Sequence, residues 1–446
     1  MKKFNFFIKF SLSQKLIMGF MIAIIVGTLI LMLPVATTSS QGLGFITALF
    51  TIASAICVTG LSVIDVSKEL TNFGQMVLLI FIQLGGLGIM TFSSFIFMLI
   101  GKKITYEERE LLKEERNVED NGGIIGFLRK VILTVFSIEI IGAIFLTIGF
   151  LKEMPLKTAV YFGIFHSISA FCNAGFSLFT NGLEGYSSDF LINMTVAYLI
   201  IIGGIGFAVI NSIVYSVRYK RNKLDLTSKV AVTITTILTV IGMFFFFVFE
   251  YRNNGTIGNM PLGQKILASF FQSVTTRTAG FNTVPIGNLT ESSILMFCML
   301  MFVGASPGST GGGIKTTTMG VIIFYVIGVI RKKEKISIFN RRIGWEILNR
   351  AITILVLAIA YILTITLIIL SIENITFNQA IFEVVSAFGT VGLTLGVTSD
   401  LGTVSRLLII ITMFIGRLGP MTFAIAFGGT NKIEKISFPK ENIIVG

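Results

Sequence analysis

The chain has 446 residues, 53% of them hydrophobic and 13% charged, with a mean hydropathy of +0.87. That is far more apolar surface than one soluble core buries, which excludes a globular enzyme or soluble binding module and requires a polytopic membrane protein. A formal charge of +12 is no sign of nucleic acid here, because the basic residues cluster in the connections between apolar stretches.

Long apolar stretches run at 16–34, 73–100, 127–151, 190–217, 230–249, 292–330, 351–372 and 403–427, and each reaches the ~20 residues that a spanning helix needs. The first follows Met1–Lys15; it is long and has no small-x-small cleavage site, so it reads as a span and not a signal peptide. Eight spans are predicted. Between them lie shorter apolar runs at 43–57, 159–172, 265–276 and 377–389, too short to cross and suited to re-entrant helices. Lys2, Lys3, Lys9 and Lys15 precede the first span, and further basic clusters at 102–116, 218–229, 331–350 and 432–440 fall on the same side. Most of the 35 Lys and Arg residues therefore face one compartment, which predicts cytoplasmic termini.

Each short run ends in the same phrase: Cys57-Val58-Thr59-Gly60-Leu61, Cys172-Asn173-Ala174-Gly175-Phe176, Arg277-Thr278-Ala279-Gly280-Phe281 and Gly389-Thr390-Val391-Gly392-Leu393. Aligned on Gly60, Gly175, Gly280 and Gly392, the copies place Phe50, Phe165, Phe270 and Phe382 at one upstream offset. Ser54, Ser169 and Ser386 fall at another, with Val274 the exception. Four equivalent turns in a membrane protein are what a ring of backbone carbonyls around one axis requires, and such a ring replaces the water that a cation sheds. Glycine lets the ring close to pore radius, and the re-entrant helices would aim their partly negative C-termini at the ion.

The phrase divides the chain into four repeats of span, re-entrant helix, turn and span, at 1–118, 119–224, 225–343 and 344–446. Within the second spans, Gly85, Gly203, Gly304 and Gly416 take equivalent places, either to let helices approach closely or to line the path. The third repeat differs, for Gly304-Ala305-Ser306-Pro307-Gly308-Ser309-Thr310-Gly311-Gly312-Gly313-Ile314-Lys315 cannot stay helical. Unwound backbone at mid-membrane is tolerated where protein or water covers it, so this segment should line the conduit. It is no phosphate loop, since Ile314 separates Gly313 from Lys315 and no strand precedes it.

With these features the chain resembles the membrane subunits of the Trk/Ktr/HKT potassium-uptake family, above all the KtrB type, over nearly its whole length. The resemblance implies an all-α protein of four pseudo-fourfold span–pore helix–span units that carries potassium across the bacterial plasma membrane. Val58, Thr59, Gly60, Asn173, Ala174, Gly175, Thr278, Ala279, Gly280, Thr390, Val391 and Gly392 match the filter, with potassium at the four glycine carbonyls. The segment 304–315 matches an intramembrane gate, and Arg417 matches a basic residue that helps close it. Glycine in all four copies resembles the potassium-preferring members, whereas serine in the first would point to sodium. The resemblance further implies a homodimer, no cofactor bound by this chain, and nucleotide control only through a ring of cytoplasmic regulatory subunits. Sodium dependence is left open, and a sodium-translocating member or a secondary transporter for another solute is the alternative.

Several residues carry separate expectations. Arg417, at mid-span, should face the cavity below the filter or snorkel to the cytoplasmic side; Lys315 should lie nearer that side. Arg277 adjoins a filter glycine and should point away, pairing with a carboxylate such as Glu383. His166, the single histidine, reads as a structural donor, and with no second histidine there is no hydrolytic triad or metal motif. Glu139 also sits in apolar surroundings. Asp65, Glu184, Asp189, Glu291 and Asp400 belong to outer loops, where they either draw cations or solvate the loops. Cys57, Cys172 and Cys298 imply no disulfide framework.

Overall fold

In chain order, α1 (Leu12–Leu31), α2 (Phe45–Ile56) and α3 (Asn72–Leu87) form a first unit. A second unit contains α4 (Ile124–Phe150), α5 (Leu156–Phe171), α6 (Phe190–Ile205) and α7 (Phe207–Arg218). The third has α8 (Leu226–Glu250), α9 (Leu262–Thr275), α10 (Glu291–Phe302) and α11 (Thr316–Ile330), and the fourth α12 (Trp345–Ile372), α13 (Phe377–Gly389) and α14 (Thr403–Leu418). A small hairpin, β1 (Ser337–Ile338) with β2 (Arg341–Arg342), separates α11 from α12. This computed structural model describes residues 12–88, 124–218, 224–332, 337–421 and 423. The predicted inner ends of 73–100 and 403–427 lie outside the described residues, as do the basic residues at 2–9, 102–116, 220–223, 333–335 and 432–440.

The first helix of each unit is long and apolar enough to cross a membrane: Gln14–Leu31, Arg129–Phe150, Leu226–Glu250 and Trp345–Ile372. Their exposed residues are greasy, such as Leu133, Ile140 and Ile144 on α4 and Val356, Leu363 and Leu367 on α12. A helix that is apolar on its exposed face as well as its buried one faces lipid.

Among the described residues, glycine turns also end or bend helices of the second spans in the first, second and fourth units, whereas the glycine-rich segment singles out the third. α3 stops at Gly88 (φ 79°), α6 at Gly206 (φ 97°) and α14 at Gly419 (φ 89°), conformations that residues with a side chain rarely adopt. Across Gly206 the chain turns by 97° from α6 into α7. The third second span parts between α10 and α11, where 303–315 is irregular.

The units close into a ring. Each half-span packs on the short helix of the next unit: α3 on α5, α6 on α9, α10 on α13, and α14 back on α2. The half-spans of the first, second and fourth units also pack on the short helix of their own unit, and there glycines make the approach possible. A Cβ on Gly85 would lie 2.1 Å from the Ile56 carbonyl oxygen, one on Gly203 1.9 Å from that of Phe171, and one on Gly416 2.0 Å from that of Phe388. Lipid tails are as apolar as the helices, so helix association in a membrane rests on this kind of close backbone contact. Gly203→Ala should accordingly lower stability by about 1–3 kcal/mol through overpacking. Its melting temperature in detergent is the check, and an unchanged midpoint would contradict the contact.

Candidate functional site

α2, α5, α9 and α13 all run toward the centre of the ring and end there in equivalent turns. Each turn carries two left-handed residues: Val58 and Gly60 (φ 56° and 89°), Asn173 and Gly175 (59° and 68°), Thr278 and Gly280 (70° and 78°), Thr390 and Gly392 (50° and 93°). The amides between them are taken up by the helix ends. Thr59 N–H donates to the Ser54 carbonyl at 2.8 Å, Ala174 to Ser169 at 2.8 Å, Ala279 to Thr275 at 3.1 Å and Val391 to Ser386 at 2.9 Å. Hydroxyls complete the bracing: Gly60 and Gly392 N–H donate to the side chains of Ser54 and Ser386, while Ser169 and Thr275 donate to the carbonyls of Phe176 and Phe281.

The four turns meet edge to edge. A Cβ on Gly60 would fall 2.5 Å from the Ala174 carbonyl oxygen, on Gly175 2.7 Å from that of Ala279, on Gly280 2.2 Å from that of Val391, and on Gly392 2.1 Å from that of Thr59. The cycle 60→175→280→392→60 is closed, so the turns surround one axis. Any side chain at these positions would push into a neighbouring main chain.

The third turn corrects the sequence alignment. Thr275 plays the role of Ser54, Ser169 and Ser386, but one residue nearer its glycine, so the loop is a residue shorter and Val274 is no true exception. Phe271 is accordingly the fully buried partner of Phe50, Phe165 and Phe382, while Phe270 is only half-buried. Fixed spacing could not reveal this shift, because a Phe occupies both positions.

Directly against one side of this ring lies 304–315. It folds back on itself, with Gly304 N–H donating to Ile314 O at 2.9 Å and Ala305 N–H to Gly312 O at 3.2 Å. Ser306 and Thr316 share a hydroxyl hydrogen bond at 2.8 Å, and Ser309 donates to Ser306 O at 2.6 Å. It then meets the turns of the third and fourth units. Gly312 N–H donates to the Thr390 hydroxyl at 2.8 Å, and a Cβ on Gly311 would lie 2.2 Å from the Thr278 hydroxyl. Ser306 and Thr310 N–H bond the carbonyls of Gly204 and Gly203, and Gly308 O accepts from Phe207. A Cβ on Gly206 would lie 2.5 Å from Pro307 O, and Gly313 N–H bonds Gly416 O at 3.0 Å. The loop thus touches the turns of the third and fourth units and the half-spans of the second and fourth.

Arg417 sits beside it. Its guanidinium donates to the carbonyl of Thr310 in the loop and to that of Gly85 in the first unit, bringing in the remaining unit. Lys315 does not reach outward; its ammonium turns back to Gly311 O at 2.9 Å. Arg277 points away from the ring, but its partner is Thr235 on α8, through the carbonyl at 3.3 Å and the hydroxyl at 3.2 Å, and not Glu383. Glu383 lies within α13 and accepts from the Thr394 hydroxyl, the Leu395 amide and the Thr398 hydroxyl, bracing the chain beyond the fourth turn.

The other singled-out residues do structural work. His166 donates from Nδ1 to Phe162 O at 2.8 Å and accepts at Nε2 from Leu178 N–H and Ser177, which assigns it the neutral Nδ1–H form. Glu139 accepts from Gln83 at 3.0 Å. Asp65 caps the turn at Val66–Glu69, and Asp189 caps α6 through the Ile192 amide at 3.1 Å. Burial alone would raise the Asp189 carboxyl, yet the Lys152 ammonium at 2.5 Å and the capped amides hold it below its ordinary value. The three cysteines are free and buried.

A ring of four units, with lipid-facing helices outside and glycine turns meeting on one axis inside, defines a membrane transport protein for a small cation. A family model described as TrkH, "Cation transport protein", matches residues 8–436, and the chain belongs to that family. It is 42% identical to Ktr system potassium uptake protein B of Bacillus subtilis over 98% of both chains. It is 35% identical to the potassium/sodium uptake protein NtpJ of Enterococcus hirae over 97% of both. The crystal structure of the potassium transporter TrkH from Vibrio parahaemolyticus shares the fold, with a TM-score of 0.73 at 17% identity over 93% of this chain and 84% of that one.

Proposed function

We propose that this chain is the membrane subunit of a bacterial potassium uptake system. Potassium enters from the side on which the four turns open, gives up its water to the carbonyl ring, and is driven inward by a potential of about 2.3 kcal/mol per charge per 100 mV. The segment 304–315 is the gate, held shut under the ring by Arg417 and Lys315. The single observation that carries this reading is the closed cycle of main-chain contacts through Gly60, Gly175, Gly280 and Gly392.

Termini on the cytoplasmic side follow from the basic clusters. The name "Ktr system" on relatives supports an assembly of several subunits, here a homodimer with a peripheral nucleotide-binding ring docked on the basic loops. The relative named for potassium and sodium supports a second reading in which sodium also passes, but glycine at all four turns favours potassium. Purified protein in liposomes should take up rubidium-86 without any organic solute, with potassium competing better than sodium. Uptake that requires an organic solute, or sodium competing equally, would reject the potassium assignment.

A further inference from the structure

Where α8 and α12 begin, α8, α11, α12 and the end of α14 enclose a cavity of about 430 Å³. Two kinds of side chain line it. Val230, Val321, Ile343 and Ile354 are apolar, while Lys315 and Arg350 bring positive charge, with no carboxylate among the lining residues.

α11 begins beside Lys315. Its N-cap residue, Lys315, contributes no side-chain cap, and Thr317 and Thr318 of the first turn line the cavity. Among the described residues the Thr316 amide bonds Ala305 O, while no protein acceptor meets those of Thr317 and Thr318. The fifteen-residue helix therefore turns free N–H groups and the positive end of its dipole into the same space. Arg350 is exposed and has no ion pair among the described residues. Lys315 uses one of its three donors on Gly311 O.

A pocket between membrane helices that combines two cations with aliphatic side chains and no carboxylate is complementary to an anionic lipid: phosphate against the cations, acyl chain against the aliphatic residues. A soluble phosphate would satisfy the cations alone and leave the aliphatic residues against water. We propose that this cavity binds the phosphate headgroup of an anionic phospholipid. Pro307, Gly313 and Ile314 line the same space, so the lipid would rest on the crossing loop itself.

The test reads bound lipid and not transport, so its outcome is separate from that of the uptake reading. The full chain is taken from nanodiscs of equal phosphatidylglycerol and phosphatidylcholine, and retained lipid is weighed by native mass spectrometry. Wild type should keep phosphatidylglycerol in preference, Arg350→Gln should lower that retention about fivefold, and Arg350→Lys should preserve it. If Arg350→Gln does not elute as a folded species, Ile354→Trp, which fills the cavity beside the aliphatic residues, carries the same expected loss. Equal retention of the two lipids by wild type, or full retention in both variants, overturns the site. Displacement of the lipid by millimolar inorganic phosphate overturns the lipid as its occupant and assigns the cations to a soluble phosphate.

Discussion

Gly392→Ser is expected to cut the preference for potassium over sodium at least about tenfold, a loss of ~1.4 kcal/mol of discrimination. Two causes act together. Gly392 has φ 93°, where a residue with Cβ is strained by about 1–2 kcal/mol, and the new Cβ would stand 2.1 Å from the Thr59 carbonyl oxygen. Main chain cannot swing aside as a flexible side chain can, so the ring must open between the fourth and first turns. A wider ring no longer replaces the water of a bare cation as closely. The same geometry ranks the copies: Gly280→Ser, at 2.2 Å, should be nearly as severe, and Gly175→Ser, at 2.7 Å, the mildest. Uptake of rubidium-86 against sodium-22 in liposomes measures the ratio. An unchanged ratio in Gly392→Ser would remove the ring from the transport path.

Arg417→Gln should raise basal flux by about tenfold or more. Hydrogen bonds from a charged donor contribute about 1.5–3 kcal/mol each, and this guanidinium makes two, to Thr310 O and Gly85 O. Together they tie the loop to the first and fourth units, so with 304–315 as the proposed gate their loss should move the balance toward an open arrangement by the differential energy removed. Arg417→Lys should release the loop partly, because one ammonium lacks the planar fork that spans two carbonyls. Deleting 308–313 goes further, since it also takes away the Gly312–Thr390 bond and the contacts to Gly203 and Phe207. Flux of rubidium-86 without any partner subunit is the readout. Wild-type flux in a monodisperse deletion variant would mean that 304–315 does not obstruct the path.

Much of this protein was legible along the chain. Spans declare themselves by length of apolar run, the repeats by Gly60, Gly175, Gly280 and Gly392 at near-constant spacing, and the irregular segment by glycines and a proline that no helix accommodates. These are local properties, set by the residues themselves and the solvent around them. Other features were hidden. Glycines that break a span and glycines that only let helices touch look alike in sequence, and the turns at Gly88, Gly206 and Gly419 show only in the backbone.

Tertiary structure alone decided which groups meet. Arg277 lies beside Thr235 and not Glu383, and Thr275, a residue off the expected spacing, replaces the missing serine. Lys315 folds back to Gly311, and Arg417 joins carbonyls contributed by the first and third units. The amino-acid sequence determined that there would be four glycine turns in a membrane; folding determined that they surround one axis, with 304–315 packed against two of them. The reason is physical: backbone preference acts over a few residues, whereas the two Arg417 bonds join groups 107 and 332 residues apart, whose meeting depends on how four whole units pack.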